Sequence, residues 1–282
     1  LEKWGLGYEQ LSAVSPKLIM VRISGFGQSG PYRERPGYGF LGDAVGGMLH
    51  INGYPDRPPV RAAVPVTDML TAVYGALGAV MALLSRHKTG KGQIVDAALY
   101  ESSFSLMESH VPAFDQLGHV AQRAGTRLPG STPNSLYPTA DGGYIAMAAS
   151  SDPVFRRLAN TMGQPELGDD PRFASRPARV ENYDALADTM QARFATRKRS
   201  EWLQALGAQD VPSAPINSIE EVFADPQVEA LGLKVSLPHA RRGSVSVVAN
   251  PVRLSATPAR HATSAPDLGA DNDLILTARR EV

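Results

Sequence analysis

Residues Val60–Ser103 read VRAAVPVTDMLTAVYGALGAVMALLSRHKTGKGQIVDAALYESS, and this stretch decides the fold. No charged residue lies between Asp68 and Arg86, and nearly every position there is apolar or small. The pattern predicts a helix that is buried on all sides. A tight basic turn, a strand over Gln93–Ala97 and a second helix over Leu99–Leu117 follow it. We therefore expect an α/β unit.

Asp68 stands at the predicted entrance of the buried helix. A carboxylate there is typical of an N-cap, because its oxygen accepts a bond from a free backbone N–H and the helix dipole favours negative charge. Two features favour a catalytic role for Asp68 over a role as helix cap. The small and β-branched residues of Ala62–Val66 predict an extended approach that a ligand can reach, and Gly75 and Gly78 allow close packing against the helix.

The apolar run is interrupted by glycines, and it predicts a core helix instead of a membrane span, which needs about 20 apolar residues. Upstream of it, the sequence predicts a short helix over Tyr8–Val14 and a strand over Lys17–Ser24. Gly25–Gly30 then matches G-x-G-x-x-G, but Pro31 and the charges after it continue a loop, whereas a dinucleotide site must open a helix. Gly37–Leu49 is predicted to form a glycine-rich helix.

After Leu117 the chain becomes polar and rich in Gly, Pro, Ser and Thr up to Leu136, which indicates a linker or an active-site loop. A helix is predicted over Asp152–Met162, with Asp152 or Ser151 as its cap. The remaining predicted elements are a strand over Tyr144–Ala149, helices over Tyr183–Ala195 and Ser200–Ala208, and strands over Lys234–Leu237 and Val245–Val248.

The composition limits the class of protein. A chain of 282 residues with 43% hydrophobic and 20% charged residues is ordinary for a globular protein, and a formal net charge of +0 argues against nucleic-acid binding. The absence of cysteine excludes a disulfide scaffold and a thiolate nucleophile, and it fits a cytoplasmic protein. The six histidines show no metal-ligand spacing, so we predict no metal site.

The covalent chemistries left open are few. The sequence has no G-x-S-x-G motif, and Gly90–Gly92 lacks the spacing of a phosphate-binding P-loop. Carboxylates remain as nucleophiles that can form an activated acyl group and pass it on. The residues alone do not lead beyond that possibility.

Three blocks of sequence resemble the class III (CaiB/BaiF) coenzyme A transferases, the family of formyl-CoA and carnitine-CoA transferases that also includes α-methylacyl-CoA racemases. They read SGFGQSGPYRERPGYGF at Ser24–Phe40, VTDMLTAVYGALGAVMALLSRHKTGKGQIVDAAL at Val66–Leu99 and LYPTADGGYIAMAASSDPVFRRL at Leu136–Leu158. The resemblance covers essentially the whole chain. It also implies that relatives carry a further segment before Leu1, so we expect an N-terminally truncated chain.

The resemblance implies an α/β fold, with a partial Rossmann-like large domain, a smaller α/β domain and an interlocked homodimer. The implied boundaries are 1–123 for the rest of the CoA-binding domain and linker, 124–225 for the small domain and 226–282 for a segment that returns to the large domain. The implied partners are acyl-CoA and carboxylic acid substrates, with no nucleic acid and no membrane.

The resemblance also assigns site residues. The family's nucleophile corresponds to Asp68, which implies ping-pong transfer of CoA through aspartyl anhydride and aspartyl-CoA thioester intermediates. Gly37 and Tyr38 correspond to the segment that contacts CoA, and Lys3 to a basic residue near its phosphates. No tightly bound cofactor is implied, because CoA is itself a substrate.

Two alternatives stay open. The first is an α-methylacyl-CoA racemase or epimerase, which in this family has a histidine base where this chain has Tyr38 and a glutamate where it has Asp152. Tyrosine, with an ordinary pKa of about 10, is a poor base near neutrality, so this difference favours transfer. The second is a non-catalytic fragment that lacks the upstream part of the CoA site.

Overall fold

Two parallel strands, β1 and β2, form the sheet of the first part of the chain. The structure is a computed structural model that describes residues 1–260 and 263–278. The two strands pair in register from Met20 with Ile94 to Ser24 with Ala98. The elements of this part are α1 (Tyr8–Val14), β1 (Met20–Ser24), α2 (Gly39–Val45), α3 (Met48–Ile51), α4 (Val66–Thr89), β2 (Ile94–Ala98), α5 (Leu99–Ser105) and α6 (His110–Leu117).

Helix α4 connects the two strands, as a parallel pair requires. Its glycines bring it close to the sheet, since a Cβ on Gly75 would lie 3.4 Å from Val21 and one on Gly78 would collide with Val95. The helix ends at Gly90, whose φ of 74° places it in the left-handed region that favours glycine.

The prediction that α4 is buried on all sides is wrong. Its buried residues are Thr67, Thr71, Gly75 and Ala82, whereas Val73 and Leu84 are 61% and 64% exposed. The reason is that the two-stranded sheet covers only one side of the helix. At 24 residues α4 is long and apolar enough to cross a membrane by length and composition alone, a test that core helices also pass, so the expectation of a core helix instead of a membrane span stays a prediction.

Two other predicted helices are interrupted. The helix expected over Gly37–Leu49 forms as α2 and α3, which Gly47 separates with a φ of 95°. The helix expected over Leu99–Leu117 forms as α5 and α6. The apolar and glycine patterns predicted the helices correctly, but they did not reveal where each would turn.

The next part of the chain contains the main hydrophobic core. Phe155 and Leu158 of α7 share this core with Ile145 and Met147 of β4, and Trp202 donates a 2.8 Å hydrogen bond to the carbonyl of Phe194 inside it. Strands β3 and β4 are antiparallel, and their sheet has the order β3-β4-β5. The elements are β3 (Asn134–Pro138), β4 (Tyr144–Ala148), α7 (Asp152–Met162), α8 (Arg176–Glu181), α9 (Tyr183–Phe194), α10 (Arg199–Gly207) and β5 (Ser213–Pro215).

The chain divides into two compact units, Leu1–Ser213 and the described part of Ala214–Val282. Within the second unit, two strands form an antiparallel hairpin in the place that the sequence predicted. Its elements are α11 (Ile219–Phe223), α12 (Pro226–Ala230), β6 (Lys234–His239), β7 (Gly243–Val248) and α13 (Asn272–Ala278). The expected boundaries at 124 and 226 stay a prediction.

Candidate active site

Asp68 is the third residue of α4, and its side chain is exposed. The helix begins after Pro65, which occupies the N-cap position without a capping side-chain bond, so the interpretation of Asp68 as an N-cap is wrong. Within the described residues, the Asp68 carboxylate takes part in no hydrogen bond or ion pair. Its carboxylate is therefore free to react, and it lies in the first turn of α4, at the positive end of the helix dipole.

Helix α2 places its first residue, Gly39, directly against Asp68. A Cβ on Gly39 would lie 2.7 Å from Cγ of Asp68, closer than any two such carbons can approach, so only glycine fits. Gly39 is itself buried. The carboxylate thus lies at the entrance of α2, on backbone that has no side chain to hinder a substrate.

The connectivity of the sheet explains why these groups meet at one edge. A helix that joins two parallel strands runs antiparallel to them, so the N-terminus of α4 returns to the carboxyl end of β1. The carboxyl ends of parallel strands are where ligands bind in open α/β sheets. The loop after β1 is tied to the same edge, because Tyr100 N–H donates a 3.0 Å hydrogen bond to the carbonyl of Gly25.

Gly37 and Tyr38 lie beside this edge, as a continuation of that loop. A Cβ on Gly37 would be 2.7 Å from the α-carbon of Gly25, so the two ends of the loop touch through glycine backbone. Tyr38 is the N-cap of α2 and is 76% exposed. The structure therefore brings Gly37 and Tyr38 next to Gly39 and Asp68.

Lys3 lies on an open cleft of about 600 Å³, together with Arg22, Gln28 and Arg33. Glu2 forms an ion pair with Arg22, and its own backbone N–H together with Arg22 lowers the pKa of the Glu2 carboxyl to about 2. Glu34 likewise pairs with Arg33, so Lys3 is the cation of this cleft that has no ion pair among the described residues.

Arg61 precedes Asp68 in the chain and lies close to the same edge. Its guanidinium is 4.7 Å from the ring centroid of Phe40, the residue after Gly39. Among the described residues no carboxylate pairs with Arg61, whose side chain is exposed. An arginine in this state can bind a carboxylate of a substrate.

Asp152 forms an ion pair with the buried Arg179. Its carboxylate accepts a 2.7 Å hydrogen bond from Arg179, a fully buried side chain that also donates to the carbonyls of Thr132, Phe173 and Ser150. Bonding to Arg179 lowers the pKa of Asp152. The carboxylate is therefore held ionised as an anchor of α7 and does not cap that helix, whose N-cap is Ser151.

Sequence reasoning missed four residues of this region, namely Gly39, Asp43, Thr67 and Arg61. The available signal was Asp43, a charged residue inside the apolar and glycine-rich segment GFLGDAVGGML, where a buried acid must have a partner. No group of His, Asp and Glu side chains suited to a metal ion occurs in residues 1–260 and 263–278, and His261 lies outside the described residues.

Comparison with known proteins identifies the family of the chain. The sequence profile of the family described as CoA-transferase family III matches residues 1–272. A succinyl-CoA–D-citramalate CoA-transferase of Chloroflexus aurantiacus is 42% identical over 277 residues, which are 98% of this chain and 69% of that protein. The succinate–glutarate CoA-transferase of Agrobacterium fabrum is 36% identical, with 98% and 69% covered.

Solved structures show the same fold. A CaiB/BaiF family protein from Brucella suis superimposes with a TM-score of 0.86 at 34% identity, over 99% of this chain and 72% of that one. Rv3272 from Mycobacterium tuberculosis gives a TM-score of 0.85 at 25% identity, over 97% and 72%. The chain is therefore a member of CoA-transferase family III, an enzyme family that transfers coenzyme A.

Proposed function

We propose that Asp68 is the nucleophile of a CoA transfer from an acyl-CoA thioester to a carboxylic acid. The observation that carries this proposal is the free Asp68 carboxylate against Gly39, at the carboxyl edge of the sheet. The carboxylate attacks the thioester carbonyl and expels CoA thiolate, which leaves an acyl-aspartyl anhydride. The thiolate then attacks the aspartyl carbonyl and releases the donor acid, which leaves aspartyl-CoA thioester.

The second half-reaction reverses these steps with the acceptor. The acceptor carboxylate attacks the aspartyl-CoA thioester and expels thiolate, which forms a second anhydride. The thiolate attacks the acceptor's carbonyl, so the new acyl-CoA leaves and the Asp68 carboxylate is regenerated. No net proton transfer is needed, which fits a site whose neighbouring side chain, Tyr38, is a poor base near neutrality.

We expect Asp68→Asn to abolish turnover while the fold survives. The amide cannot form an anhydride, so kcat should fall by several orders of magnitude, and the melting temperature should stay close to that of the native chain. Hydroxylamine added during turnover should convert the native carboxylate to a hydroxamate, which peptide mass spectrometry detects. Full activity of a folded Asn variant, or a label on another carboxylate, would refute the assignment.

CoA itself is proposed to lie along the loop after β1, with Gly37 and Tyr38 near its thiol end and Lys3 near its phosphates. Lys3 supports the second part, because it lies on the cleft beside the loop after β1 and forms no ion pair among the described residues, and an ammonium group can bind phosphate. We further propose a cytoplasmic homodimer. The exposed apolar face of α4 supports burial in an assembly, since contiguous apolar surface of that kind is typical of interfaces.

The substrates are proposed to be dicarboxylic, with succinyl-CoA as donor. The relatives' names include succinyl-CoA, citramalate and glutarate, and Arg61 offers a guanidinium over the ring of Phe40, the residue after Gly39, for the carboxylate that does not react. A charge-assisted hydrogen bond of this kind is worth about 1.5–3 kcal/mol.

Arg61→Gln should therefore raise KM for glutarate by roughly 10- to 100-fold and leave KM for pentanoate unchanged. Steady-state assays on a panel of mono- and dicarboxylic acids measure both. Arg57→Gln is the matched control, because Arg57 lies 5.6 Å from the ring of Tyr54 in the same loop and should affect neither acid. Equal losses on both acids would contradict the role of Arg61.

A further inference from the structure

Helix α2 contacts the first turn of α4 at two points, and the residues responsible lie one helical turn apart. Gly39 touches the carboxylate of Asp68, and Asp43 accepts a hydrogen bond from the hydroxyl of Thr67. Residues four apart lie on one face of a helix. A single face of α2 therefore contacts both the candidate nucleophile and the residue before it.

The contact between Asp43 and Thr67 is inside the protein. Asp43 is 6% exposed and Thr67 is 1% exposed, although 24 positions separate them in the chain. A buried carboxylate is costly unless it is hydrogen-bonded, and a bond from a hydroxyl to a carboxylate is among the stronger ones in proteins. This bond therefore holds α2 and α4 together at a defined point.

The start of α4 has no capping side chain. Its N-cap is Pro65, which offers no side-chain acceptor, and the first backbone N–H groups of a helix have no partners within it. A helix turns by about 100° per residue, so the orientation of Thr67 determines the direction in which Asp68 points. Fixing the Thr67 hydroxyl thus fixes the reacting carboxylate.

We propose that Asp43 is a positioning residue for catalysis, which aims the Asp68 carboxylate by holding the hydroxyl of Thr67. The proposal rests on the function proposed for Asp68. Asp43 does not touch the substrate, and it acts through the first turn of α4. A misplacement of about 1 Å at a reacting group can cost roughly 100-fold in rate, so loss of this bond should lower kcat more than it lowers substrate affinity.

The test compares three threonine variants of the full chain. Thr67→Val removes the hydroxyl with little change of shape, and Thr67→Ser restores it. Thr71→Val is the matched control, because Thr71 is a fully buried threonine of α4 whose hydroxyl donates a 2.7 Å bond to a carbonyl of the same helix, that of Thr67. Each variant is assayed for kcat, for KM, for hydroxylamine labelling of Asp68 and for melting temperature.

We expect Thr67→Val to lower kcat and the rate of Asp68 labelling by 10- to 100-fold, with KM within about twofold of the native value. Thr67→Ser should recover most of kcat, and Thr71→Val should stay within about threefold of the native enzyme. Equal kcat in Thr67→Val and Thr71→Val would overturn the proposal.

A second comparison covers the case in which Thr67→Val folds poorly. Asp43→Asn keeps the volume of the side chain but replaces the charged acceptor of the bond with a neutral one, so kcat and the rate of Asp68 labelling should fall while KM stays within about twofold of the native value. A native kcat in a folded Asp43→Asn variant would overturn the proposal. Absence of any label on Asp68 in the native enzyme would instead refute the proposed function, and the positioning role with it.

Discussion

At the scale of single residues, the candidate site depends on the lack of a side chain at Gly39. The α-carbon of Gly39 faces the carboxylate of Asp68, and nothing but hydrogen fits between them. Sterics alone require glycine at this position, since Gly39 does not have a left-handed backbone conformation. A minimal substitution there tests the geometry without changing any charge.

Gly39→Ala should displace the Asp68 carboxylate and lower kcat by roughly 100-fold. The fold should survive because the exposed Asp68 side chain can rotate away and alanine is favoured in helices. Enzyme assays and thermal unfolding measure the two effects. Gly207→Ala in α10 is the control, since its added Cβ meets nothing within 4 Å, and it should leave kcat unchanged. A native kcat in Gly39→Ala would show that the carboxylate does not act from its observed position.

At the scale of elements, α8 organises the core of the part that follows the first sheet. Its residue Arg179 is fully buried and donates to Asp152 and to three backbone carbonyls, which belong to segments far apart in the chain. One guanidinium thereby connects the loop before β3, the loop after β4 and the segment before α8. Its planar set of donors suits such a junction better than the single ammonium of lysine.

Arg179→Met should reduce the free energy of unfolding by about 3–5 kcal/mol, because it leaves buried carbonyl groups and Asp152 without their partner. Urea unfolding followed by circular dichroism measures the change. Arg172→Met is the matched control, since it breaks an ion pair with Asp170 in which Arg172 is 59% exposed, and such pairs contribute about 0–1 kcal/mol. Similar losses in both variants would contradict the role assigned to Arg179.

At the scale of the whole molecule, the two-stranded sheet leaves one side of α4 uncovered, and we expect an assembly to bury it. Val73, Leu77 and Leu84 are more than half exposed on a helix whose other side packs on β1 and β2. An apolar helix face of this size is usually covered in the native assembly. In the proposed homodimer, a second copy of this chain buries the apolar face of α4.

Size-exclusion chromatography with light scattering should give twice the 30.1 kDa mass of a single chain at micromolar concentration. Dilution should not separate the subunits, because an interface that covers an apolar helix face is of the obligate kind. A monomer across micromolar concentrations would contradict the proposed assembly.

The sequence by itself determined the α/β character, most of the elements and the candidate nucleophile. Glycine and apolar periodicity placed α1, α4 and α7, since these are local signals, and the motif around Asp68 carried the family resemblance. Only the tertiary structure decided that Pro65 and not Asp68 caps α4, that α4 has an open side, and that Asp152 is bound to Arg179. It also brought Asp43 to Thr67. These are contacts between segments distant in the chain, and local patterns carry no information about which distant side chain will meet another.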